Sequence, residues 1–246
     1  VASGEDGVLE VGPGIGVLTA ELCARAKKVV AVELDRRLLP VLSETLGDFD
    51  NVEIVSGDVL KLDLHAILRE KFAGCRKVTV CANLPYYITS PVIMKLLEEK
   101  LPVESIVVMV QKEAADRLCA EVGSREAGAV TVAVQYYAAA RALFKVGRGS
   151  FVPSPKVDSA VIRLDIRKNA AFAPADETFF FRMVRAAFAQ RRKTALNGIS
   201  AGLALPKETV AAALQSAGLP ADVRAEKLTM EQLCRLSDIL SESDKE

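Results

Sequence analysis

Five short apolar runs constrain this chain more than any other feature: VLEV at 8–11, VVAVE at 29–33, VEIV at 52–55, VTVC at 78–81 and IVVMV at 106–110. Each is too short for a buried helix and rich in β-branched residues, so each reads as a strand. Longer stretches with helical periodicity lie between or after them: Val17–Ala26, Arg37–Leu46, Leu60–Phe72, Pro91–Lys100 and Lys112–Glu121. Continuous apolar strands alternating with amphipathic helices predict an α/β fold with a mostly parallel sheet covered on both faces. Two further runs, Thr131–Tyr137 and Ala160–Asp165, follow without a full helix between them, which predicts an antiparallel hairpin at the end of the sheet. Composition shifts after Lys168: NAAFAPADE reads as a linker, and only helical periodicity follows, at Glu177–Gln190, Lys207–Ala217 and Met230–Ser241. The expected organisation is a sheet domain over 1–170 and a small all-helical domain over 171–246.

The first strand runs into EVGPGIGVLTAEL. Gly12, Gly14 and Gly16 can adopt positive φ and let a ligand approach the backbone, with the following helix starting at the loop. Their GxGxG spacing is not the GxGxxG dinucleotide fingerprint, which disfavours a nicotinamide oxidoreductase. Glu33 closes the second strand about 20 residues on, where a carboxylate can accept from both hydroxyls of a ribose. Asp35 competes for that role but reads better as a helix N-cap. Asp58, in SGDVL, closes the third strand and can accept from the exocyclic amine of an adenine. Asn83 closes the fourth. Ligands of open α/β sheets bind outside the carboxyl ends of the strands, so Gly12, Glu33, Asp58 and Asn83, in order on four strands, outline a nucleoside-shaped site. Glu10 and Val59 join them as candidate cofactor-binding residues. With no phosphate-binding lysine and no second glycine finger, S-adenosyl-L-methionine fits this set better than NAD or ATP.

Bulk properties narrow the setting. Formal net charge is zero, so only local patches can attract nucleic acid. Five scattered cysteines, never in a CxxC spacing, read as reduced core thiols of a cytoplasmic protein. The single histidine, His65, has no cysteine pair to share a zinc site, so no metal is expected. Apolar runs fall short of a membrane span.

The order EVGPGIGVLT, VELD, GDVL, NLPYYITSP, FVPSPKVDSAV and RAAFAQRRKT closely resembles the KsgA-type ribosomal RNA small-subunit adenine N6-dimethyltransferases, from Val8 to about Leu240. The resemblance implies a Rossmann-like class I methyltransferase sheet with a C-terminal helical domain that helps recognise the small ribosomal subunit. It also implies methyl transfer from S-adenosylmethionine to N6 of two adjacent adenines of 16S ribosomal RNA during ribosome assembly. The residues suit that chemistry. An adenine amino lone pair is delocalised into its ring and is a poor nucleophile. Two acceptors on its hydrogens, the Asn83 side-chain oxygen and the Leu84 carbonyl, favour a pyramidal nitrogen with its lone pair toward the methyl. Pro85 donates no hydrogen bond and stiffens the turn. Tyr86 offers a face on which an extruded base can stack, and Phe151 covers the other face or closes the pocket. Tyr87 is expected to turn inward into the core.

Two acid-free stretches are locally basic. One carries Arg182, Arg185, Arg191, Arg192 and Lys193; the other, around Phe151, carries Arg141, Lys145, Arg148 and Lys156. The first set and Arg148 are the candidate RNA contacts, whereas Phe179, Phe180, Phe181 and Phe188 read as inter-helix core. The protein is expected to act as a monomer. Family members carry an upstream segment with a GQNFL-like motif that this chain lacks, so a chain shortened at its N-terminus is expected, with its own activity in question. Two competing readings remain: an Erm-type large-subunit RNA adenine methyltransferase, and a non-catalytic RNA-binding assembly factor on the same fold.

Overall fold

In the computed structural model, which describes residues 2–169 and 171–243, seven strands form one sheet. They are β1 (Gly7–Val11), β2 (Lys28–Glu33), β3 (Val52–Ser56), β4 (Val78–Asn83), β5 (Ser105–Gln111), β6 (Ala138–Val146) and β7 (Ser159–Ile166). Their order is β3-β2-β1-β4-β5-β7-β6. The first five run parallel, and β7 pairs antiparallel with both β5 and β6. Strands are connected by α1 (Val17–Cys23), α2 (Leu39–Thr45), α3 (Leu64–Lys71) and α4 (Thr89–Glu98), while α5 (Lys112–Leu118) follows β5. This is the class I methyltransferase architecture anticipated from the sequence. The interior strand β1 is buried along its whole length, which is why Val8, Leu9 and Val11 are apolar without strict alternation; Glu10 is the one charged residue in it. Side-chain caps mark helix starts: Asp63 Oδ1 accepts from Ala66 N–H at 2.9 Å and Asp35 Oδ1 from Arg37 N–H at 3.0 Å, so Asp35 is a cap as expected.

The run Thr131–Tyr137 is not a strand. It lies in α6 (Ala129–Tyr137), and the strand follows immediately as β6. Its β-branched composition reads locally as β, but tertiary partners decide the matter. Thr131 Oγ accepts from Gly128 N–H at 2.9 Å and donates to the Arg117 carbonyl at 2.8 Å. Val132, Ala133, Val134 and Tyr136 are buried in succession, which on a helix means burial all round. β6 escapes sequence detection for the opposite reason. As the edge strand it exposes residues on both faces, Leu143 and Phe144 among them, so no apolar alternation marks it.

The chain divides into two compact units, and not by a single cut: residues 1–115 with 138–166, and residues 116–137 with 167–246. The contiguous boundary expected at residue 170 therefore differs from the observed division, and Ala170 itself lies outside the described residues. The second unit contains α6, α7 (Glu177–Phe188), α8 (Ala195–Leu203), α9 (Lys207–Ser216) and α10 (Met230–Ser243); α8 had no counterpart in the sequence reading. Aromatic packing ties α6 to α7. Tyr137 stacks on Phe181 with centroids 5.4 Å apart, and the hydroxyls of Tyr136 and Tyr137 donate to Glu177 at 3.1 and 2.8 Å. Phe179, Phe180 and Phe181 are buried. Helices α7 and α8 approach closely because α8 carries glycines: a Cβ at Gly202 would lie 2.4 Å from Ala186 Cβ. Among the described residues no helix is long and apolar enough to cross a membrane.

Candidate active site

The glycine loop after β1 turns through positive φ at Gly12 (70°), Gly14 (61°) and Gly16 (90°). The three positions differ in what surrounds them. A Cβ at Gly16 would meet Leu42 at 3.2 Å, whereas at Gly12 or Gly14 it would meet nothing within 4 Å. Gly16 thus serves conformation and packing, and the first two leave open space beside bare backbone. Glu33, at the end of β2, is buried and oriented by the loop. Its Oε2 accepts from Gly14 N–H at 3.3 Å and its Oε1 from Asp35 N–H at 2.7 Å. Each oxygen keeps a lone pair for a ligand hydroxyl. Asp35 instead pairs with Arg37 (Nη2–Oδ2 2.7 Å), whose hydrogen bond holds its carboxyl down at about 2. Asp58 follows β3, where its Oδ1 accepts from Leu60 N–H at 3.0 Å.

These groups surround a cavity of about 520 Å³. Of the residues singled out in the sequence, Gly12, Glu33, Asp58, Val59, Leu84 and Pro85 line it together. The volume is within the range of small-molecule and cofactor sites, and its walls combine three carboxylates, Glu33, Asp58 and the Arg37-paired Asp35, with the apolar groups Val59, Leu84 and Ile88. Glu10 takes a different place. It is 1% exposed on β1, in register with Ala31 and Cys81, and its Oε2 has no hydrogen-bond partner among the described residues. Burial pushes its carboxyl up to about 7. The Thr19 hydroxyl offsets this in part without reaching hydrogen-bond geometry, and it too is left without a partner. The same burial, with the Glu10 charge added, pushes the Cys81 and Cys23 thiols up to about 12 and about 11.

The turn after β4 carries the NLPYY residues. Asn83 ends the strand opposite Met109 and is exposed, and Leu84 fills the core behind it at 1% exposure. Neither the Asn83 side chain nor the Leu84 carbonyl has a hydrogen-bond partner among the described residues. The turn closes through Ile88 N–H on the Pro85 carbonyl at 3.1 Å. Tyr87 does not turn inward: it is 83% exposed and lines the cavity. Leu84 and Thr89 already occupy the inward positions of the turn, leaving both tyrosine rings outside. Tyr86 is the more restrained of the two, its hydroxyl 3.0 Å from Ser159 Oγ on β7. Phe151 is half-buried in the loop between β6 and β7.

The basic candidates divide between the units. Arg148 is exposed in the sheet unit; Arg182, Arg185, Arg191, Arg192 and Lys193 are exposed in the helical unit. In the helical unit Arg185 and Arg191 share a hollow of about 340 Å³ with Arg117, beside the backbone of Gly128, Ala129 and Val130. Sequence reading missed Arg117. It sits in the mixed-charge run KEAADRL rather than an acid-free stretch, and only its placement on α5 beside α6 brings it to the other two. Among the described residues no group of His, Cys, Asp and Glu could hold a metal ion.

The chain is 51% identical over 239 residues to a ribosomal RNA small subunit methyltransferase A of Bacillus licheniformis, covering 96% of this chain and 82% of that protein. It is 52% identical over 241 residues to the protein of that name from Geobacillus thermodenitrificans, with 97% and 82% covered. Among solved structures, a dimethyladenosine transferase from Plasmodium falciparum superposes with a TM-score of 0.73 at 26% identity, covering 99% of this chain and 92% of that one. The 23S rRNA methyltransferase ErmE superposes with a TM-score of 0.67 at 29% identity, covering 98% and 93%. The family model described as ribosomal RNA adenine dimethylase matches residues 3–242, and the chain belongs to that family.

Proposed function

We propose that this protein transfers methyl groups from S-adenosyl-L-methionine to N6 of two adjacent adenines of 16S ribosomal RNA, giving N6,N6-dimethyladenosine as the small subunit is assembled. The observation that carries this reading is the juxtaposition at the carboxyl ends of the parallel strands. A cavity with two carboxylate acceptors lies beside a turn that presents two unsatisfied acceptors, the Asn83 amide oxygen and the Leu84 carbonyl.

The donor set fits S-adenosylmethionine. Glu33 would hold ribose hydroxyls, Asp58 would accept from the adenine amine, and Val59 and Leu84 would supply apolar contact. The bare backbone at Gly12 and Gly14 admits the amino acid end. The orphaned Glu10 Oε2 lies buried on the same strand that leads into that loop. When bound, the cofactor supplies a methyl group on a positively charged sulfur. Asn83 and Leu84 accept from the target amine and turn its lone pair outward, Pro85 stiffens the turn, and Tyr86 and Phe151 stack on the extruded base. Catalysis is chiefly proximity and orientation; no covalent enzyme intermediate is needed, and the amine loses its proton only after the nitrogen has become cationic. Arg148, Arg182, Arg185, Arg191, Arg192 and Lys193 contact RNA phosphates, and Arg117 joins them through the shared hollow. The protein acts in the cytoplasm as a monomer.

Identity favours the small subunit as target: relatives named for it are 51% and 52% identical to this chain over the aligned residues, against 29% for ErmE. The test is transfer of tritiated methyl groups to immature small ribosomal subunits, where labelling at adjacent adenines is expected. Label on naked large-subunit RNA instead would establish an Erm-type activity. No label on either, with RNA binding retained, would establish a non-catalytic assembly factor.

A further inference from the structure

The geometry points to Asp158 and Ser159 as positioning residues that hold the two aromatic walls of the target-base pocket, Ser159 through Tyr86 and Asp158 through the loop bearing Phe151. This rests on the function proposed above and adds two residues to it. Ser159 opens β7 in register with Gln111 and is fully buried, with its Oγ 3.0 Å from the Tyr86 hydroxyl, 73 residues away in the chain. A buried hydroxyl is costly to leave unpaired, so the bond defines where the Tyr86 ring can sit. Tyr87 provides the internal contrast. It occupies the same turn with the same side chain, makes no hydrogen bond among the described residues, and is 83% exposed against 38% for Tyr86.

Asp158 acts on the other wall through backbone. Its Oδ1 accepts from Arg148 N–H at 3.0 Å, and its carbonyl accepts from Lys112 N–H at 2.9 Å, which anchors it to the start of α5, directly after β5. The Arg148 carbonyl in turn accepts from Phe151 N–H at 3.3 Å and from Ser154 Oγ at 2.9 Å. Phe151 is therefore two hydrogen bonds from Asp158, in a loop whose other residues are exposed apart from Pro155. Consecutive residues in extended chain point in opposite directions, which lets one dipeptide reach two separate elements. Ordering both rings before substrate arrives removes a conformational entropy cost from the step that must seat the base.

The experiment is a pair of double-mutant cycles on methyl transfer to immature small subunits. Tyr86→Phe and Ser159→Ala are each expected to lower kcat about three- to tenfold, the range for one net hydrogen bond. The KM for the subunit and cofactor affinity should stay within about twofold, and the double variant should be no worse than either single one. Asp158→Ala should likewise be non-additive with Phe151→Ala while adding fully to Tyr86→Phe. Additive losses for Tyr86→Phe with Ser159→Ala, or unchanged kcat in both, would overturn the inference. Tyr86→Phe keeps its ring on the surface, so it carries the test even if Ser159→Ala fails to fold. No labelling by the unaltered protein would instead remove the functional reading itself, and this inference with it.

Discussion

The two units of this molecule present ligand-binding groups in different ways. In the sheet unit the candidate site is made at strand ends, where backbone turns hold Glu33, Asp58 and Leu84 around one cavity, with Asn83 next to Leu84 at the end of β4. In the helical unit it is made of long cationic side chains, Arg117, Arg185 and Arg191, projecting around a hollow from three places on the chain. In the first kind of site, main-chain hydrogen bonds orient the acceptors before any ligand arrives. The second supplies charge with little directional demand, which suits a phosphate backbone. Under the proposed function the difference implies a division of labour: chemistry would depend on turns, and affinity on accessible charge.

That division can be broken at three points. Asn83→Ala should lower methyl transfer by about a hundredfold or more, as losses of a preorganised acceptor or donor do, and leave subunit binding nearly unchanged. Single-turnover rates beside a filter-binding isotherm would show this; a normal rate would end the account of the turn.

A smaller effect concerns stability. Glu10 titrates near 7 in the folded state because of burial, against 4.5 for its ordinary value. Its neutral form is the one that fits the core, so the folded chain binds more protons than the unfolded chain between those values. The stability this group contributes is fully present below about pH 4.5 and is lost as pH rises to about 7, a difference of roughly 3 kcal/mol. Glu10→Gln should flatten that part of the pH–stability curve. Denaturant midpoints at pH 5 and pH 8 measure it, and a slope identical to that of the unaltered protein would contradict the assignment.

The smallest effect belongs to the helical unit. Arg117→Ala should raise the subunit KM by about three- to tenfold and lower the salt dependence of binding by about one phosphate contact. Its cofactor affinity should not change. A fall in kcat alone would place Arg117 with the chemistry and blur the division.

Much of the sheet unit was legible because its information is local. A strand buried on both faces is mostly apolar, a positive-φ turn beside bare backbone calls for glycine, and the residues at successive strand ends fall in chain order. Gly12, Glu33, Asp58 and Leu84 could therefore be placed before any coordinates. The helical unit was legible only where charge runs were unbroken, which is why Arg191 was found and Arg117 was not. The contiguous domain division failed for a related reason: α6 packs on α7 through Tyr136, Tyr137 and Phe181, a preference written in residues far apart in the chain.

By itself the sequence determined the α/β class, the strand ends that make the cavity, the acids at two of them, and the amide–proline turn. Tertiary structure decided three things. It made Thr131–Tyr137 a helix through the hydrogen bonds that the Thr131 hydroxyl accepts from Gly128 N–H and donates to the Arg117 carbonyl. It sent Tyr87 outward because Leu84 and Thr89 already filled the interior of that turn. It also held Tyr86 on Ser159. In each case two conformations were open to the local chain at similar cost, and partners remote in sequence selected one of them. Local propensity spans about 1 kcal/mol per residue, and a single buried hydrogen bond or filled core position is enough to override it.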